Sequence, residues 1–126
     1  MSAGEGSAAG NQRRYLRYLV RDVQVKVRPR SLLGRFRNET LPVIDFNRFG
    51  LAFARQTALE TGLALVLDID AGRRRLDRVP AVVRVSLPHD DGLRIGVEFD
   101  TSGLRRNMIE RLEHDLHELE KTLKRR

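Results

Sequence analysis

Apolar and polar residues alternate along most of the chain up to Asp100. Val23, Val25 and Val27 alternate with Gln24, Lys26 and Arg28. A two-residue period is that of extended backbone, so this run predicts a strand with one buried face. Pro29 to Arg37 reads as a connection, and a second strand is expected from Leu41 to Phe46. Past Gly50, Leu51 and Phe53 alternate with Ala52 and Ala54. Leu63, Leu65, Leu67 and Ile69 form a further run. Ala71-Gly72 and the arginines after it predict a hairpin turn. Val79, Ala81, Val83 and Val85 are assigned to one face of the next strand, and Pro80 predicts an edge or a bulge in it. His89 to Gly92 reads as a turn. Leu93, Ile95, Val97 and Phe99 then alternate with Arg94, Gly96, Glu98 and Asp100. Six short strands with tight connections predict an antiparallel barrel or sandwich.

The period changes after Gly103. Met108, Ile109, Leu112, Leu116, Leu119 and Leu123 are spaced 1, 3, 4, 3 and 4 residues apart, one apolar stripe on a helix. Asp100 or Ser102 is the expected cap at its start. Lys121, Lys124, Arg125 and Arg126 stand at its end, where the helix dipole favours cations. The stripe is close to a heptad in spacing. Packing on the barrel is expected near Met108 to Leu112, with the distal part left for a partner or for a homodimer through the helix. The organisation expected is a disordered Gly/Ser/Ala tail over residues 1–10, a β-domain over 11–100 and an amphipathic helix over 101–126.

Composition narrows the function. The 126 residues include no cysteine, so neither a disulfide nor a thiolate metal site holds this fold. No apolar run reaches the length of a membrane span, and Met1 to Gly10 has no signal-like segment, which predicts a cytoplasmic protein. The charge is 24 basic minus 17 acidic residues, or +7. Between Asn11 and Thr40 there are nine basic residues and two acidic ones, Asp22 and Glu39, so nine minus two equals the whole excess. Eight of the nine are arginine, which forks onto phosphate and stacks on flat rings where lysine acts as a point charge. An electropositive segment of this kind attracts phosphates, nucleic acids or acidic surfaces, and a solvated basic face is the plainer alternative.

Two short patterns sit inside this frame. Arg13-Arg14-Tyr15-Leu16-Arg17 has the form RxxxR just ahead of the first strand, and Arg17 to Arg21 repeats that form in a second register. Asp45-Phe46-Asn47-Arg48-Phe49-Gly50 lies at a strand-to-strand junction. Together with the closing run Arg94 to Phe99, they resemble the signature of the PilZ family: RxxxR, then a D/N-x-S-x-x-G turn. Asn47 stands where that family has serine. The resemblance covers roughly Asn11 to Asp100. It implies a six-stranded antiparallel barrel with one C-terminal helix, and cyclic di-GMP as ligand. It implies that Arg13 and Arg17, with Arg14 beside them, hold phosphate and stack on guanine. It also implies that Asp45, Asn47 and Gly50 meet a guanine edge. The chemistry fits on its own terms, because arginine serves both phosphate and base. A carboxylate accepts from guanine's ring N–H and amino group, and a glycine admits close approach.

The expected function is thus a sensor or adaptor that changes shape on binding cyclic di-GMP and relays this to a separate effector protein in motility, attachment or exopolysaccharide control. A second reading is a PilZ-like adaptor acting through protein contacts without nucleotide. A third is a single-stranded nucleic-acid-binding barrel, with Tyr15, Tyr18 and Phe36 set among the basic residues; nucleic acid is the less favoured partner. No enzyme is expected, since no nucleophile, base and orienting group fall together. No cofactor or metal is expected either. Asp68 and Asp70 share a strand face but read as solvated, and His114 and His117 lack a third ligand.

Overall fold

The computed structural model describes residues 18–30 and 37–124. The chain forms a closed six-stranded antiparallel β-barrel, with a short extra strand and one C-terminal helix. The strands are β1 (Tyr18–Leu19), β2 (Gln24–Pro29), β3 (Glu39–Asn47), β4 (Gly50–Arg55), β5 (Ala64–Asp70), β6 (Arg75–His89) and β7 (Gly92–Phe99), followed by α1 (Arg106–Lys124). Around the ring the order is β3, β2, β5, β6, β7, β4, and β4 pairs back onto β3. β1 lies outside that ring. It pairs with β3 through Tyr18↔Phe46 and Leu19↔Asp45, on the same side as β2, which pairs with β3 from Gln24↔Pro42 to Val27↔Glu39. β1 and β2 are one interrupted strand. The break falls at Asp22, whose φ is 61°. Val20 N–H to Ile44 O (3.1 Å) and Val43 N–H to Val23 O (2.9 Å) carry the ladder across it.

The alternation read in the sequence is the alternation of the wall. Val25, Val27, Leu51, Phe53, Leu65, Leu67, Ile69, Val79, Val83, Ile95 and Val97 all point inward and are fully buried or nearly so. Two bulges let β6, 15 residues long, serve both β5 and β7. One falls at Asp77–Arg78, where Arg78 takes a φ of 57° and donates its N–H to Asp68 Oδ1 at 2.8 Å. Pro80 lies two residues past this bulge and pairs with Val66. The other falls at Arg84. An extra residue reverses the facing of everything after it. Val85 is therefore on the outer face opposite Gly96, not on the inner face with Val83 as the sequence suggested. Ser86 takes the inward place opposite Ile95, and its hydroxyl donates to Leu59 O at 3.3 Å.

The helix corrects two expectations. Its buried residues are Leu116, Leu119, Glu120 and Leu123, all in the distal half. Leu116, Leu119 and Leu123 belong to the barrel's own core, with Phe46 and Val97. Met108 is 48% exposed. The distal half is thus the more deeply buried half, with Leu112 of the proximal half packed partly against the core, and the segment expected to be left for a partner is used within the monomer. The contact of α1 with the wall is at β3. Nor do Asp100 and Ser102 cap the helix. Ser102 donates its N–H (3.1 Å) and its hydroxyl (2.7 Å) to Asp100 Oδ1, closing a separate turn ahead of Arg106. No helix among the described residues is long and apolar enough to cross a membrane.

Candidate functional site

The β3–β4 hairpin holds the second pattern. Asn47 pairs with Gly50 across the turn. Its side-chain oxygen accepts from Phe49 N–H at 2.7 Å and Gly50 N–H at 3.0 Å. A short amide that bonds the backbone two and three residues on is what shapes such a turn, and Asn47 is only 1% exposed. Gly50 is fixed by packing. A Cβ at this position would lie 2.2 Å from the carbonyl oxygen of Val97 on β7, so no other residue fits without moving a strand.

Asp45 stands on the outer face, because its neighbour Phe46 fills the core. Across the wall its row continues through Ala52 on β4, Gly96 on β7 and Val85 on β6. Asp45 is nonetheless 7% exposed and Ala52 is 0% exposed, so this outer row is covered. Arg94 from β7 crosses β4 and donates from Nη2 to Asp45 Oδ2 at 2.8 Å. The small side chains along the row give the guanidinium its path. A Cβ on Gly96 would come within 3.7 Å of Arg94 Nη1.

Arg48, between Asn47 and Phe49, ties the turn to the helix. Its backbone N–H donates to Glu120 Oε2 at 3.0 Å, and its Nε and Nη2 donate to Oε1 at 3.1 and 2.9 Å. Glu120 is 7% exposed. A buried carboxylate is stable only with partners of this kind. Phe49 is 41% exposed at the tip, and its carbonyl accepts from Phe99 N–H at 2.9 Å.

The structure thus places Asp45, Asn47 and Gly50 on one hairpin. Arg13, Arg14 and Arg17 lie outside the described residues. Tyr18, the first described residue, pairs with Phe46 in the middle of the Asp45–Asn47 triplet. Arg21, from the second RxxxR register, lies in the break between β1 and β2 and is exposed.

Two participants were missed in the sequence. Glu120 was legible: it lies four residues after Leu116 and next to Leu119, on the buried face of α1, where a charge demands a cation. Arg94 was not, since its partner is two strands away and only the ring order brings them together. Asp68 and Asp70 are engaged locally. Asp68 also faces Arg28 Nη2 at 3.6 Å, and Asp70 Oδ1 accepts from Gly72 N–H at 2.9 Å. Among the described residues no three His, Cys, Asp or Glu side chains are grouped to hold a metal. No protein-family model matches the chain, and no curated protein matches it.

Proposed function

We propose that the protein is a PilZ-like sensor that binds cyclic di-GMP between its arginine-rich N-terminal segment and the β3–β4 hairpin, and passes the change to an effector protein without chemistry of its own. The observation that carries this reading is the pairing of Tyr18 with Phe46. It brings Tyr18, which the arginine segment directly precedes in sequence, onto the strand that bears Asp45 and Asn47, which supports a site drawing on both. Arg13, Arg14 and Arg17 supply the guanidinium groups for two phosphates and two flat bases. Asp45 supplies the acceptor for a guanine edge. Asn47 and Gly50 act by holding the turn in shape. A diffusible cytoplasmic dinucleotide suits a domain of this kind.

Calorimetric titration with cyclic di-GMP, with GTP as control, tests the reading. Saturable binding of the dinucleotide alone is expected, and Arg13→Ala and Arg17→Ala should each abolish it at an unchanged melting temperature. Full affinity in both variants overturns it. A second reading has its own support: Asn47 Oδ1 and Asp45 Oδ2 are both already engaged within the fold. A folded protein that binds no dinucleotide would make it an adaptor working through protein contacts.

A further inference from the structure

We propose that the β5–β6 hairpin is a docking surface for the phosphate backbone of double-stranded nucleic acid, separate from the site described above and independent of its ligand. The turn after β5 leads into Arg73, Arg74 and Arg75, and Arg78 lies three residues on. Asp77 is the only acid among residues 73–78, so four cations minus one anion leave +3 there. The frame beneath them is held in place. Ala71, Leu76 and Val79 are buried in the core. Ala71 N–H donates to Arg74 O at 3.0 Å, and Asp70 Oδ1 accepts from Gly72 N–H at 2.9 Å. Arg73, Arg75 and Arg78 are exposed on this frame. Their side chains make no ion pair or hydrogen bond among the described residues. By contrast Arg28, Arg30, Arg48, Arg55, Arg84 and Arg94 each face a carboxylate within 3.6 Å.

The acids around the hairpin are engaged. Asp68 Oδ1 accepts from the Arg78 backbone N–H and faces Arg28, and Asp70 closes the turn. Glu118 on α1 is bonded by Lys121 at 3.3 Å, which chiefly holds it below the usual carboxylate range, with a smaller contribution from Arg74. Lys26 extends the basic surface. It is exposed on β2 beside Asp68 of β5, two strand spacings, or about 9.5 Å, from β6.

The side chains present select the partner. Guanidinium groups fork onto phosphate oxygens. A protein interface centres on buried apolar and aromatic anchors, and docking on a membrane surface takes an apolar face. The hairpin offers neither. Phe49, Leu87 and Met108 are the exposed large apolar side chains among the described residues, and none lies on it. Residues 71–78 also include no aromatic ring on which single-stranded bases would stack. What the hairpin presents is charge on a fixed frame. That suits a duplex backbone, which carries one phosphate charge per about 1.7 Å of axis. Such contacts position a protein without reading sequence.

The test is fluorescence anisotropy of a short mixed-sequence DNA duplex with the full chain over a salt series, with melting temperature as the control for folding. If Arg73, Arg75, Arg78 and Lys26 each meet a phosphate, log affinity should fall with log salt at a slope of about −3.6 or steeper, at about 0.9 per contact. The triple variant Arg73→Gln, Arg75→Gln, Arg78→Gln should lose about tenfold or more in affinity at ~50 mM salt, and its slope should be shallower by about 2.7. Each single substitution should make the slope shallower by about 0.9, which decides the matter if the triple variant fails to fold. Arg84→Gln also removes one charge, but from an arginine held by Glu98 at 2.7 Å, and should leave the slope unchanged. The result stands whether or not the chain binds cyclic di-GMP. Three outcomes overturn the inference: no duplex binding by the wild type at that salt, an unchanged slope in the folded hairpin variants, or tighter binding to polyglutamate or to phosphatidylserine vesicles than to the duplex.

Discussion

The two halves of α1 carry the same apolar spacing and meet opposite surroundings. Leu116, Leu119 and Leu123 enter the barrel core, whereas Met108 lies in solvent and Ile109 and Leu112 are half-covered. Hydrophobic spacing alone does not separate them. The distal half also carries Glu120, which reaches the hairpin through Arg48. A helix face thus declares which way it turns, while a polar contact of fixed geometry settles where along its length it is anchored.

Breaking the docked half should have the largest effect. Leu119→Ala should cost about 3 kcal/mol, since it deletes a fully buried side chain and leaves a cavity; denaturant unfolding measures it. The polar anchor should be asymmetric. Arg48→Ala leaves a buried carboxylate with few donors and should cost about 2 kcal/mol. Glu120→Ala leaves an arginine that water can reach and should cost about 1 kcal/mol. Equal costs in chemical denaturation would show that the carboxylate gains its hydration elsewhere. The lead-in to the helix should respond to acid. The hydrogen bonds from Ser102, with Arg30 adding to them, hold Asp100 below the usual carboxylate range. A group whose pKa is lowered by folding stabilises the fold above its unfolded value and loses that contribution as pH falls through the folded one. The melting-temperature gap between wild type and Ser102→Ala should therefore be open at pH about 5 and shrink below pH about 4. Smallest of all, Met108→Lys on the exposed half should stay within about 0.5 kcal/mol of wild type.

The sequence made the barrel legible because a wall of alternating side chains repeats the same two-residue rule in every strand. It failed at Val85, where one extra residue at Arg84 shifted the phase. Nothing in the local pattern marks a bulge that an arginine can occupy. The hairpin was equally legible as a turn, since Asn47 and Gly50 are residues a turn selects. Their physical roles were not, because the close approach of Val97 to Gly50 is a property of strand order. The Arg94–Asp45 pair was hidden for the same reason. Which half of the helix docks was hidden too, because both halves carry the same apolar spacing.

β1 has a consequence of a different kind. The ring closes through β2 on one side of β3 and β4 on the other, and β1 pairs with β3 alone at two positions. It can peel away without opening the hoop. Among the described residues, what holds β1 is its pairing with β3 and the Val20 N–H to Ile44 O bond that follows it, so losing those contacts leaves the six-strand ring closed. A force, a ligand or a partner acting ahead of Tyr18 meets those contacts first.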